Sequence, residues 1–146
     1  MQWVTRKQIR VNRVATAWLI RRFIDSEAEF IFVEPEEVAE LQRRVGAKGF
    51  DAPDATYPHK DNQGRCSFEA LVDEYRPNDP VLKQIARIVR GADFSEEIDL
   101  TKESAGLRAI SQGFPMVAKD DFDTVEKASF LYDALYASIK AQQQSR

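Results

Sequence analysis

The stretch from Asn12 to Asp25 constrains this chain more than any other. Asn12 reads as the N-cap of a helix running to about Asp25. Wound at about 100° per residue, Val14, Ala17, Trp18, Leu19, Ile20, Phe23 and Ile24 spread round nearly the whole circumference. A helix that is apolar on every side belongs at the centre of a core, so the other elements must surround it.

Those elements are short and well punctuated. Gln2–Thr5 and Glu29–Val33 read as strands, the second being the strongest strand signal in the chain. Pro35 opens a helix over Glu36–Val45, and Gly46 closes it. Residues 46–65 are rich in Gly, Pro, Asp and Asn and read as loop, with short strands at Lys48–Phe50 and Thr56–Tyr57. Ser67 is the expected cap of a helix to Tyr75. Asp79-Pro80 begins the next helix, with Val81, Ile85, Ile88, Val89 and Ala92 as its core stripe. Lys83, Arg87 and Arg90 are expected to face away, and Gly91 to end it. Thr101 or Asp99 caps a helix through Gln112, stopped by Gly113 and Pro115. Asp120 caps the last helix, whose stripe is Phe122, Val125, Tyr132, Leu135, Tyr136 and Ile139, with a frayed tail from Gln142. The expectation is a single α+β domain over residues 1–146, mainly helical, with a buried N-terminal helix and a small sheet.

The central helix is also charged. Arg6, Lys7, Arg10, Arg13, Arg21 and Arg22 fall within the first 24 residues, and no acidic residue accompanies them. The whole chain has a net charge of −3, so the remainder carries about −9. Such a segment meets either an external anion or the chain's own carboxylates. The acidic balance argues against broad nucleic-acid binding. No apolar run is long enough for a membrane span, and no secretory signal precedes the first strand. One cysteine excludes an internal disulfide framework, and one histidine excludes a multi-histidine zinc site within the chain. A cytoplasmic protein is expected, with no organic cofactor indicated.

Arg22 projects between Trp18 and Leu19 and is expected to be buried and paired, by an internal carboxylate or by an anion ligand. Arg21 has Asp25 four residues on as a ready partner. Arg13 lies at the helix start, where free amides favour anions. Cys66 sits beside Arg65 at a helix start, and both features favour thiolate over thiol. It reads either as a reactive, catalytic thiol or as a small buried hydrophobe. His59, Glu69, Asp93 and Asp121 are the candidate metal ligands, although Asp120, Asp121 and Asp123 serve equally as cap and dipole residues. Arg90-Gly91-Ala92-Asp93 reads as a glycine cap followed by a turn aspartate.

Motif by motif, the chain resembles the ChrB C-terminal domain family of bacterial chromate-resistance proteins. The likeness runs through Trp3-Val4-Thr5-Arg6, Asn12-Arg13-Val14-Ala15, Trp18 to Asp25 and Ala28 to Val33. It continues in His59, Cys66-Ser67-Phe68-Glu69-Ala70, Ile88 to Asp93, Ala105-Gly106-Leu107, Asp120-Asp121 and Tyr132 to Tyr136. The resemblance implies a link to chromate resistance as a regulator or accessory protein. Longer members carry a region before the Trp-Val-Thr-Arg motif; if that region supplies DNA binding, this chain alone is not a complete regulator. The family pattern has Asp, Cys and His where this chain has Asn12, Thr16 and Phe122, which removes three potential ligands or reactive groups.

The expected role is therefore a stress-response accessory or sensor domain binding a small oxyanion such as chromate or sulfate. Arg13, Arg21 and Arg22 would supply charge, with His59 and Arg90 as further donors. The competing expectation is a redox or metal-dependent detoxifying enzyme using Cys66, His59 or both. A third is an interaction module whose basic opening docks onto a partner.

Overall fold

A computed structural model describes residues 1–145. Its elements run β1 (Gln2–Arg6), α1 (Val11–Leu19), β2 (Glu29–Val33), α2 (Glu37–Val45), β3 (Lys48–Gly49), α3 (Ser67–Tyr75), α4 (Pro80–Asp93), α5 (Ser104–Val117) and α6 (Asp121–Gln144). A π-helical turn, Ile20–Ile24, follows α1, and a 3-10 turn, Ser95–Glu97, follows α4. The fold is mainly helical α+β with a parallel sheet ordered β2-β1-β3.

Alternation along the strands divides the sheet into two apolar faces. Trp3 and Phe30 face the main core, together with Phe50 just beyond β3, whereas Val4, Ile31 and Val33 join Val38 and Leu41 of α2. The main core surrounds α1. Every residue from Val14 to Ile20 is buried, and α1 packs against α3, α4, α5 and α6. Trp18 stacks on Tyr132 at 5.5 Å between ring centroids and meets Phe23 edge-on at 5.4 Å.

Several boundaries differ from the sequence expectations. Asn12 is inside α1 rather than capping it; the cap position is Arg10, which makes no side-chain cap bond. The Asn12 amide instead donates to Ser67 Oγ at 2.7 Å, and Thr16 Oγ1 donates to Asn12 Oδ1 at 3.0 Å, within the core. Cys66, not Ser67, caps α3, and its N–H donates to Glu69 Oε1 at 3.0 Å. The Asp79 and Asp120 caps are as expected, accepting from Val81, Leu82 and Asp123 amides.

Gly91 does not stop α4, which continues to Asp93. It is the point where the start of α5 crosses closely: Ser104 Oγ donates to the Ile88 carbonyl at 3.0 Å. Thr101 Oγ1 accepts the Ser104 N–H at 3.1 Å, but the cap position of α5 belongs to Glu103, which makes no side-chain cap bond, and neither Thr101 nor Asp99 holds it. Gly113 and Pro115 do not stop α5 either: the helix carries both and ends two residues after Pro115, at Val117. The last helix does not fray at Gln142 but runs to Gln144; Arg146 lies outside the described residues. Phe122, expected in the core stripe, is exposed and touches Phe32 edge-on at 5.0 Å.

The Gly91 crossing yields a paired prediction. A Cβ at Gly91 would lie 2.3 Å from Ser104 Oγ and 3.0 Å from the Glu97 carbonyl, whereas one at Gly106 meets nothing within 4 Å. Gly91→Ala should lower stability in urea by about 1–3 kcal/mol. Gly106→Ala, in the same helix as Ser104, should raise it by about 0.5–1 kcal/mol. Equal effects at the two positions would contradict the close crossing.

Candidate functional site

The fold splits the arginines of the basic opening into two groups, and Lys7 pairs apart from both with Glu34. Arg21 and Arg22 sit at the π turn. Arg22 Nε and Nη2 donate to the two oxygens of Asp133, both at 3.0 Å, and Asp133 Oδ1 also accepts from Trp18 Nε1 at 2.8 Å. Arg22 is paired, as expected, but its side chain is 43% exposed rather than buried. The π turn is the reason: it closes Asp25 N–H onto the Ile20 carbonyl at 2.7 Å, and this wider winding turns residue 22 outward. Arg21 pairs with Glu126 at 2.9 Å instead of Asp25 and lies over the Phe30 ring. Asp25 accepts from Trp3 Nε1 at 3.1 Å.

Arg13, at the other end of α1, joins a different set. Arg6, Arg10, Arg13 and Arg108 line a cavity of about 350 Å³ together with Asn12, Asp51, Asp93 and Gln112. Asp51 is its anchor. It is 2% exposed, with a φ of 49°, and its carbonyl accepts from Arg6 Nε at 2.7 Å. Its Oδ1 faces Arg6 Nη2 at 3.3 Å and His59 Nδ1 at 2.9 Å; its Oδ2 lies 3.6 Å from Arg13 Nη1. Arg13 Nη2 donates to the Gln8 carbonyl at 3.1 Å, while Arg13 Nε is buried without a partner. Arg108 Nη1 donates to the Ala92 carbonyl at 2.9 Å.

Asp93 faces this set from the end of α4. Its Oδ2 is buried, accepts no hydrogen bond and lies 3.4 Å from His59 Nδ1. Desolvation, reinforced by the nearby Asp51 charge, pushes its pKa up to about 6. His59 moves up from its ordinary value, chiefly because Asp51 holds its ring N–H, while burial lowers the pKa of Arg13. A hydrogen-bonded His59–Asp51 pair beside an elevated carboxyl can hold and pass a proton, and the surrounding guanidiniums can hold an anion.

The remaining candidates have other duties. Arg90 does not face away: its Nε lies 3.0 Å from Glu97, and its Nη1 donates to Glu69 Oε1 at 3.0 Å and the Gly64 carbonyl at 2.8 Å. Glu69 is thus the shared acceptor of Arg90 and of the Cys66 amide. Asp121 pins the chain before α1, its two oxygens accepting the Gln8 and Ile9 amides at 2.9 Å. Among the described residues, no group of three or more His, Cys, Asp or Glu side chains is arranged to hold a metal ion.

Cys66 overturns the expectation of a thiolate. It is fully buried, and desolvation together with the Glu69 charge pushes its pKa well above the ordinary thiol value. Asn12 and Thr16 meet at Ser67, next to Cys66, whereas Phe122 lies apart on Phe32. Sequence reading missed Asp51 and Arg108 as site residues. Asp51 stood in a stretch read as generic loop, and Arg108 reaches the cavity only through the α4–α5 packing.

Two outcomes follow from this geometry. Native Cys66 should resist a small alkylating reagent until the chain is unfolded in urea; an inflection in native reactivity below about pH 8.5 would contradict its burial. Asp93 has a folded pKa above its unfolded value, so its contribution to stability is full below about pH 4 and is lost as pH rises through 6. Asp93→Asn removes that loss. Its stability relative to wild type should therefore improve by about 2 kcal/mol between pH 4 and pH 7. A constant difference across that range would contradict the raised pKa.

The family "ChrB, C-terminal domain" matches residues 3–139. Protein ChrB of Cupriavidus metallidurans is 31% identical over 141 residues, spanning 96% of this chain but 41% of that protein. No solved structure matches the chain. The family match covers nearly the whole described fold, the arginine-lined cavity included, and the chain belongs to the ChrB C-terminal domain family.

Proposed function

We propose that this chain is a cytoplasmic accessory or sensor domain of the chromate-resistance type that binds a small tetrahedral oxyanion in the arginine-lined cavity. The family link supports the chromate-resistance setting. One observation carries the ligand class: four guanidiniums and the first turn of α1 meet at a single cavity. Arg10, Val11, Asn12 and Arg13 all line it, and no side chain caps that helix end. Unsatisfied first-turn amides and arginine forks both suit oxyanions. Four arginines oppose two aspartates there, and the elevated Asp93 carboxyl weakens the negative side further. The ligand donors are then Arg6, Arg10, Arg13 and Arg108, with His59 close by; Arg21, Arg22 and Arg90 are committed to carboxylates elsewhere.

Thermal denaturation tests this reading. Sulfate or chromate should raise the melting temperature above that in chloride at equal ionic strength, because a ligand specific to the native state stabilises it by mass action. The difference should vanish in Arg10→Ala and Arg108→Gln and persist in Arg22→Ala, whose guanidinium is at the opposite end of α1. Equal shifts in all three salts, or tight binding to random duplex DNA at physiological salt, would overturn it.

A further inference from the structure

The cavity contains one carboxylate with a cation facing each oxygen and one with a buried oxygen that accepts no hydrogen bond. Both oxygens of Asp51 face cations: Arg6 and His59 on Oδ1, and Arg13 on Oδ2. Asp93 Oδ2 is buried and accepts nothing, because His59 Nδ1 is closer to Asp51, at 2.9 Å against 3.4 Å. Asp93 lines the same cavity as the four arginines, so a tetrahedral oxyanion held by them would set an oxygen against its carboxyl. Two oxygens with only lone pairs repel each other, and one shared proton turns the contact into a short hydrogen bond.

We propose that Asp93 sorts oxyanions by whether they carry a proton, accepting freely from a hydroxyl-bearing oxyanion such as hydrogenphosphate and admitting fully deprotonated sulfate only when Asp93 itself is protonated. This rests on the oxyanion reading of the cavity and names its specificity residue. Hydrogenphosphate brings its own proton at neutral pH. Sulfate brings none, so its binding must take one from solution onto Asp93. The groups facing that carboxyl are Asp51 and His59 from the loop, Arg13 from α1, Arg108 from α5, Tyr132 from α6 and the Cys66 thiol. Of these, Asp51 holds the carboxyl protonated above the ordinary range, and the cations oppose it. The upward displacement of Asp93 puts the change in its protonation near pH 6, where an oxyanion site can use it. His59 gains or loses its proton with either ligand, so it does not discriminate between them.

Calorimetric titration with inorganic sulfate and with inorganic phosphate, at constant ionic strength in buffers of different ionisation heat, counts the protons taken up. Above pH 7, sulfate should take up about one proton more than phosphate, and its affinity should fall about tenfold per pH unit. In Asp93→Asn the amide can donate without a proton. The extra uptake should disappear, and sulfate should bind with an affinity no longer set by that carboxyl. His59→Gln should alter both anions alike and keep the one-proton difference. Equal proton uptake by the two anions in wild type, or the same difference in Asp93→Asn, overturns the sorting role and leaves oxyanion binding standing. No binding of either anion overturns both.

Discussion

Burial of α1 on nearly every side is the constraint on which the rest of the structure depends. It packs against four other helices and shares the main core with Trp3 and Phe30 of the sheet, so its polar groups can reach water only at its ends. Inside, Asn12, Thr16 and Ser67 satisfy one another in a small closed network. At the C-terminal end, the π turn carries Arg21 and Arg22 outward to Glu126 and Asp133 on α6. At the N-terminal end, the uncapped first turn opens onto the arginine-lined cavity. One buried helix thus sets both the place where the chain is tied together and the place where it can meet a ligand.

The arginines differ because their surroundings differ. Arg22 forms a bidentate pair at the surface; such pairs stabilise by up to about 1 kcal/mol. Its geometric value lies in Asp133, which also takes the Trp18 N–H and so locks α6 against the core. Arg13 is desolvated, keeps one unpartnered N–H and faces a buried carboxylate at 3.6 Å, longer than a good ion pair. A desolvated cation with donor capacity left over favours an incoming anion in a way that a saturated surface pair cannot.

Asp51, His59 and Asp93 divide the proton chemistry of the cavity. The fixed Asp51 carboxylate orients the His59 ring, and that orientation leaves Asp93 without a donor. The raised Asp93 carboxyl follows from burial beside a like charge, the commonest route to an acid that changes state near neutrality. Cys66 lies near the same region, but burial suppresses its ionisation and confines it to packing and capping.

Much of the secondary structure was legible in the sequence, because it rests on local chemistry. The all-round apolar pattern marked the central helix, the Asp79-Pro80 and Asp120 caps marked α4 and α6, and Gly46, with a φ of 71°, closed α2. The family resemblance was equally legible, since it lies in the order of motifs. Tertiary packing decided the rest. Gly91 read as a stop because a local rule cannot see Ser104 crossing it, and Ser67 read as a cap because its hydroxyl's partner stands 55 residues away on α1. The sequence marked a basic opening as a whole, but only the fold could sort it. Arg22 and Arg13 share one helix, yet the π turn sends the first to a surface carboxylate, and the convergence of β1, α1, the 50–66 loop, α4 and α5 encloses the second in the cavity. Charge is a property of residues; desolvation, pairing and a shifted pKa belong to the space that distant residues form together.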